Sequence, residues 1–188
     1  MSRLFTALTI PPLESLRQVA RALQQADPRL RLESSERWHL TLNFLGEVDA
    51  ERVPDLVQLL REATAEGESQ TFDLQGLGAF PEVQHPRVLW VGIGGDAALR
   101  VLQLRLRRAV QASGLPAAEE FVPHLTLARI RFPPREGIAE LLKRHTGTRF
   151  GNVSVNEVFL YESNLQKPGQ PYRVRARFPL RIKADSGR

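Results

Sequence analysis

The sequence predicts an α+β fold: a bilobal, pseudo-twofold duplicated unit, with antiparallel sheets lining a central cleft and helices on the outer faces. Three observations predict it. Apolar residues alternate between a spacing of two and a helical spacing along the chain. The tetrapeptide His-Leu-Thr-Leu occurs twice, at residues 39–42 and again at 124–127, close to half the chain apart. Each copy lies in a strand-like run with a helical pattern before it and another after it. With 188 residues, the chain is expected to form a single two-lobed domain over residues 1–188, the sequence halves dividing near 80–86.

Residues 4–10 alternate as a strand and stop at Pro11-Pro12. From 12 to 27, Leu13, Leu16, Val19, Ala20 and Leu23 recur at helical spacing, so one face of that helix packs inward. The first motif strand spans 38–45 and is closed by Gly46. A second helix over 49–65 has Val53, Leu56, Val57 and Leu60 as its stripe, with Pro54 tolerated near its start. Strands are expected at 72–77 and 88–93, separated by a loop marked by Phe80-Pro81 and His85-Pro86.

Gly94-Gly95-Asp96 introduces a third helix with Leu99, Leu102, Leu106 and Val110 inward, and Gly114 stops it. The second motif strand is expected over 121–130, ended by Pro133-Pro134. A short helix follows, with Ile138, Leu141 and Leu142 inward and Gly147 at its end. Residues 153–161 and 172–182 read as the last two strands, joined by the turn Lys167-Pro168-Gly169, and Pro179 makes the final one an edge or bulged strand.

Basic residues outnumber acidic ones, 26 to 21, and the net charge of +5 tilts the expected partner toward a polyanion, nucleic acid first. The absence of cysteine excludes disulfides, thiolate metal sites and cysteine nucleophiles, and makes a cytoplasmic protein the expectation. The apolar run before Pro11 is too short and too mixed for a signal peptide or a membrane span. No extended apolar surface stripe points to obligate assembly, so a monomer is expected.

In a strand, His and Thr of the motif share one face and the two leucines share the other. Each copy therefore offers an imidazole and a hydroxyl on one surface while anchoring itself in the core. If the strands meet, His39, Thr41, His124 and Thr126 converge on one spot. Imidazoles titrate near neutrality, so one accepts a proton while the other donates one. In-line phosphoryl displacement needs that pair, with hydroxyls donating to the non-bridging oxygens. Such a site calls for no metal and no cofactor when the leaving group is already activated.

Phe44 and Arg129 lie five residues after His39 and His124. Strict alternation puts both on the leucine face, but a bulge near the strand end would re-aim them. Arg129 is then a candidate phosphate clamp and Phe44 a candidate base-stacking surface, against core packing or surface solvation as the other reading. Alternation puts Phe5 on one face with Arg3, Ala7 and Thr9, where it either stacks on a base or packs as a core aromatic. Asn43, on the His39 and Thr41 face by parity, is a candidate orienting residue. Trp90 reads as core, Tyr161 and Tyr172 as within reach of a nucleotide, and His85 and His145 as structural or exposed. The arginines of the third helix read as a solvated face or, secondarily, as a guide for a polyanion toward the cleft.

The paired His-x-Thr-x motifs, their setting in residues 38–47 (WHLTLNFLGE), the segment 86–92 (PRVLWVG) and the segment 123–129 (PHLTLAR) resemble the two-histidine phosphoesterases. The nearest branch is the RNA 2′,3′-cyclic phosphodiesterases, historically labelled 2′-5′ RNA ligases, and the resemblance runs from about residue 3 to 182. It implies a bilobal fold with a central cleft and opening of 2′,3′-cyclic phosphate ends of RNA, tRNA fragments among them, to 2′-phosphomonoesters. It also implies His39 as proton donor to the leaving 3′ oxygen and His124 as the acceptor that activates water, roles that motif symmetry alone leaves unassigned. Reversible 2′-5′ ligation, a phosphodiesterase acting on small cyclic nucleotides, and a non-catalytic RNA-end-binding module remain the competing expectations.

Overall fold

A computed structural model of the chain describes residues 1–95, 97–117, 120–164 and 171–182. Among these, apolar alternation builds β1 (Ser2–Thr9), β2 (Arg31–Leu32), β3 (His39–Val48), β4 (Gln70–Phe80), β5 (Val88–Gly94), β6 (His124–Arg129), β7 (Arg149–Val155), β8 (Glu157–Ser163) and β9 (Tyr172–Pro179). The helical patterns give α1 (Glu14–Ala26), α2 (Val53–Ala65), α3 (Ala97–Ala112) and α4 (Glu136–Arg144). The apolar stripes expected of these helices are their buried faces: Leu16, Val19, Ala20 and Leu23 in α1, and Leu99, Leu102, Leu106 and Val110 in α3. Gly114 ends α3 at φ +72°, a conformation other residues rarely adopt. Asp96 and the turn Lys167-Pro168-Gly169 lie outside the described residues.

The strands form one sheet in the order β7-β4-β5-β6-β3-β1-β8-β9, with β2 beside β6 and every strand pairing antiparallel. The order reads alike from either end. β3 corresponds to β6, β1 to β5, β8 to β4 and β9 to β7, and the two halves join at the centre through Leu40 and Leu125. The helices obey the same exchange, since α2 packs on α3 and α1 on α4. Each half of the chain also lends a strand to the other: β4, before the midpoint, lies beside β5, and β8, after it, lies beside β1.

Some elements differ from the expectation: β3 does not close at Gly46 but runs through it, at φ +71°, to Val48. The run 153–161 is two strands, broken at Asn156, and they occupy opposite ends of the sheet order. The physical cause is a change of parity: Val153 and Val155 are buried, then Val158 and Leu160, so alternation slips by one at the exposed Asn156. Strands separated by one residue must be neighbours in space, so the sheet curls until its ends approach. The Leu180 amide bonds the Asn156 carbonyl at 2.7 Å, and Glu68 bridges to Arg181 across the same junction. β2 is too short to carry a periodic signal. β9 is an edge strand, as expected from Pro179, but it stops at that residue rather than at 182.

The core fills one side of the curled sheet. Leu40, Leu42, Leu125 and Leu127 of the motifs are buried there with Trp38, Leu8 and Leu23. Each buried leucine stabilises the fold by about 1.5–3 kcal/mol, and the four together clamp both motif strands. No helix among the described residues is long and apolar enough to cross a membrane.

Candidate active site

The motif strands lie side by side and antiparallel at the centre of the sheet, in register at Leu40 and Leu125. With the leucines in the core, the other face of each strand turns His39, Thr41, His124 and Thr126 into a cleft of about 330 Å³. Phe5, Phe44 and Arg129 line the same cleft. The two histidines, the two threonines, Phe5, Phe44 and Arg129 therefore meet in one place.

A bulge in each motif strand brings Phe44 and Arg129 there. Beside β1, the pairing skips Leu42 between Asn43 and Thr41; beside β5, it skips Leu127 between Ala128 and Thr126. Two successive residues then face the core, and the next returns to the cleft. Exposure runs in the same sequence through residues 39–45 and 124–130, with Asn43 and Ala128 buried and Phe44 and Arg129 exposed. Each bulge leaves a backbone carbonyl to satisfy. Gln103 Nε2 of α3 approaches the Leu42 carbonyl at 3.5 Å, and the Glu33 amide donates to the Leu127 carbonyl at 2.8 Å.

The same bulge corrects the reading of Asn43. Its side chain is on the core side, accepting from Gln103 Nε2 at 3.1 Å and donating to Thr6 Oγ1 at 3.5 Å, away from both histidines. Phe5 is only 3% exposed. It forms the floor of the cleft, with its ring 5.3 Å from His39, 5.3 Å from Tyr161, 5.3 Å from Tyr172 and 6.0 Å from Phe44. Trp90, expected in the core, lies half-buried on the cleft face with its ring 6.3 Å from His124. Gly78 makes room for it, since a Cβ there would meet the indole at 2.2 Å.

Each histidine is tethered in the same way. His39 Nδ1 lies 2.8 Å from the Arg37 carbonyl, and His124 Nδ1 lies 2.7 Å from the Val122 carbonyl. A carbonyl only accepts, so Nδ1 carries the hydrogen and Nε2 is left to exchange a proton with substrate. Aromatic rings brace both imidazoles edge-on: Tyr172 at 5.2 Å from His39 and Phe80 at 4.9 Å from His124.

Burial holds His39 below the ordinary histidine range, opposed by its bond to the Arg37 carbonyl and by the nearby Glu33 carboxylate; Arg129 and His124 push the same way as burial. Burial also lowers His124, opposed by its bond to the Val122 carbonyl and reinforced by Arg129. Glu33 is thus the charged group that treats the two rings differently. It pairs with Arg129 Nε at 3.1 Å, whereas Phe44 takes the corresponding place beside His124.

Sequence reasoning missed Glu33 and Phe80. Phe80 left a trace in Gly78 and Trp90, because a glycine inside a strand marks the close approach of a large ring. Glu33 left none, since it follows the two-residue β2, which is too short to carry a pattern. Among the described residues, no three His, Asp or Glu side chains gather to hold a metal ion. His85 is exposed beside Glu82, and His145 bonds Thr148, both away from the cleft.

Known proteins match this arrangement. The chain is 32% identical over 148 residues to an RNA 2′,3′-cyclic phosphodiesterase of Aquifex aeolicus, covering 76% of this chain and 77% of that one. It is 35% identical over 148 residues to one of Aeropyrum pernix, covering 77% and 83%. A crystal structure from Thermus thermophilus superposes with a TM-score of 0.77 at 30% identity, covering 97% of this chain and 100% of that one. LigT of E. coli in complex with 3′-AMP gives 0.70 at 27% identity, covering 95% and 98%. The model of the family described as LigT like Phosphoesterase matches twice, over residues 8–90 and 93–172, each match containing one motif strand. With the duplication, the paired motifs and the shared cleft in agreement, this chain belongs to the LigT-like phosphoesterase family.

Proposed function

We propose that the protein hydrolyses the 2′,3′-cyclic phosphate end of RNA to a 2′-phosphomonoester, the two histidines acting as acid and base without a metal ion. The observation that carries this reading is the pair of tethered imidazoles converging with two threonines on one cleft. The name carried by the relatives supports the substrate class.

In the proposed reaction the cyclic phosphate sits between the rings. His124 Nε2 takes a proton from water as the water oxygen bonds to phosphorus. The bond from phosphorus to O3′ breaks on the opposite side, and His39 Nε2 delivers its proton to that oxygen. The phosphate stays on O2′. Thr41, Thr126 and Arg129 donate to the non-bridging oxygens, which gain charge as the fifth bond forms. The next cycle needs His124 to lose its proton and His39 to regain one from solvent.

Glu33 supports this division of roles, because it favours the protonated form of His39, the proposed donor. Burial opposes that form in the free site. A phosphodiester bound between the rings brings the negative charge that restores it. Phe44, 63% exposed at the cleft edge, offers the terminal base a stacking surface.

Product analysis tests the proposal. A short RNA ending in a 2′,3′-cyclic phosphate, incubated with protein and chelator, should yield a terminal 2′-phosphate seen by ³¹P NMR. A 3′-phosphate product would reverse the assigned geometry. Binding that falls with salt but leaves the cyclic phosphate intact would favour the RNA-end-binding module. Supplying a 5′-hydroxyl RNA in the same assay reports ligation.

A further inference from the structure

The two sides of the cleft are alike in backbone and unlike in chemistry. On the His124 side, β4 and β5 present Gly78 and Gly92 beside Trp90, and farther along Asp73 already pairs with Arg149 at 2.6 Å. On the His39 side, β8 and β9 present rings and a cation. Tyr161 stacks on Phe159 at 5.4 Å with the planes 18° apart, and the Arg177 guanidinium lies 5.5 Å from the Phe159 ring. Arg177 has no carboxylate partner among the described residues.

A second recess, of about 130 Å³, opens between that surface and His39, with Thr9, Arg37, Tyr161 and Tyr172 in its wall. Arg37 lines this recess, and its Nε is buried with no hydrogen-bond partner among the described residues. A buried unpaired guanidinium nitrogen costs free energy unless something supplies an acceptor. Glu36, also on this wall, is engaged by the hydroxyls of Ser34 and Ser35.

The direction of the proposed reaction selects this side. The departing O3′ belongs to the terminal ribose, so the ribose lies toward the proton donor, His39, and water comes from the side of His124. The RNA chain preceding that ribose must then leave the cleft over β1, β8 and β9. We infer that the face of β8 and β9 beside His39 is a second-nucleotide subsite for single-stranded RNA, in which Arg37 receives the phosphodiester before the terminal nucleotide and the preceding base lies across Tyr161 and Phe159 within reach of Arg177. An aromatic surface with an adjacent arginine is the chemistry by which single strands are held without sequence preference. This inference rests on the function proposed above.

The test compares a mononucleotide 2′,3′-cyclic phosphate with a trinucleotide ending in the same group, using the ratio of their kcat/KM values. The wild-type ratio should be about tenfold or more, the gain from stacking one base. Arg177→Ala and Phe159→Ala should each bring it close to one, and Arg108→Ala, on α3, should leave it intact. A wild-type ratio of one, or a ratio that survives Arg177→Ala and Phe159→Ala, overturns the subsite. A ratio abolished by Arg108→Ala instead routes the RNA over α3 and also overturns it. If neither substrate is cleaved, the proposed function fails; the subsite is then judged by equilibrium binding of a 2′-phosphorylated trinucleotide, which must exceed that of the mononucleotide and lose the excess in Arg177→Ala.

Discussion

Each histidine commits Nδ1 to a backbone carbonyl two residues upstream, so the proton chemistry rests on Nε2 in both. Burial lowers both pKa values, and the bell of kcat/KM against pH, which reports the free protein, should therefore centre on the acid side of the ordinary histidine pKa. Glu33 and Arg129 act on His39 with opposite signs. Removing the carboxylate in Glu33→Gln lowers the proton affinity of His39, so the limb on the alkaline side of the bell, where the donor loses its proton, should move to lower pH. Arg129→Ala removes a positive charge that disfavours both imidazolium forms, and both limbs should move up. It should also lower kcat/KM by about 10- to 100-fold through the lost charge-assisted bond to phosphate. A Glu33→Gln profile that shifts upward would contradict the role given to the carboxylate.

At the scale of elements, the bulges decide which side chains reach the cleft. The motif strands supply His and Thr by simple alternation, whereas Phe44 and Arg129 arrive only because Leu42-Asn43 and Leu127-Ala128 both turn inward. Gln103 of α3 holds the first bulge through Asn43. Gln103→Ala leaves the buried Asn43 Oδ1 without this donor, and urea unfolding should register a loss of roughly 1–3 kcal/mol. Because Phe44 leaves the bulge directly, KM should rise more than kcat falls; unchanged stability would refute the role given to Gln103. Alternation and helical spacing made the strands, helices and motif faces legible in the sequence. The bulges were legible only as an alternative to strict alternation, because a one-residue slip depends on hydrogen bonds from Gln103 and Glu33, remote in sequence. Asn43 was misplaced for that reason, and Trp90 because its glycine partner on β4 is separated from it by a loop.

For the molecule as a whole, the exchange of β4 and β8 between the halves makes two separately folding lobes a poor description. The single domain expected from chain length is better stated as two interleaved repeats sharing one sheet. One tryptophan reports on each repeat, Trp38 buried before β3 and Trp90 on β5. Phenylalanine substitution of either leaves the other as the sole probe. In urea, each variant should lose its fluorescence signal and its far-ultraviolet circular dichroism at the same denaturant midpoint. Two separated midpoints within one variant would mean that the repeats unfold apart.

The account depends most on the histidines acting as one unit across a single phosphorus, and a double-mutant cycle on kcat measures that directly. His39→Ala and His124→Ala should each lower kcat for a 2′,3′-cyclic phosphate by about 10²–10⁴, and the double variant should be little worse than the weaker single one, since acid without base achieves little. Near-normal turnover in either single variant, or losses that simply multiply in the double one, would contradict it.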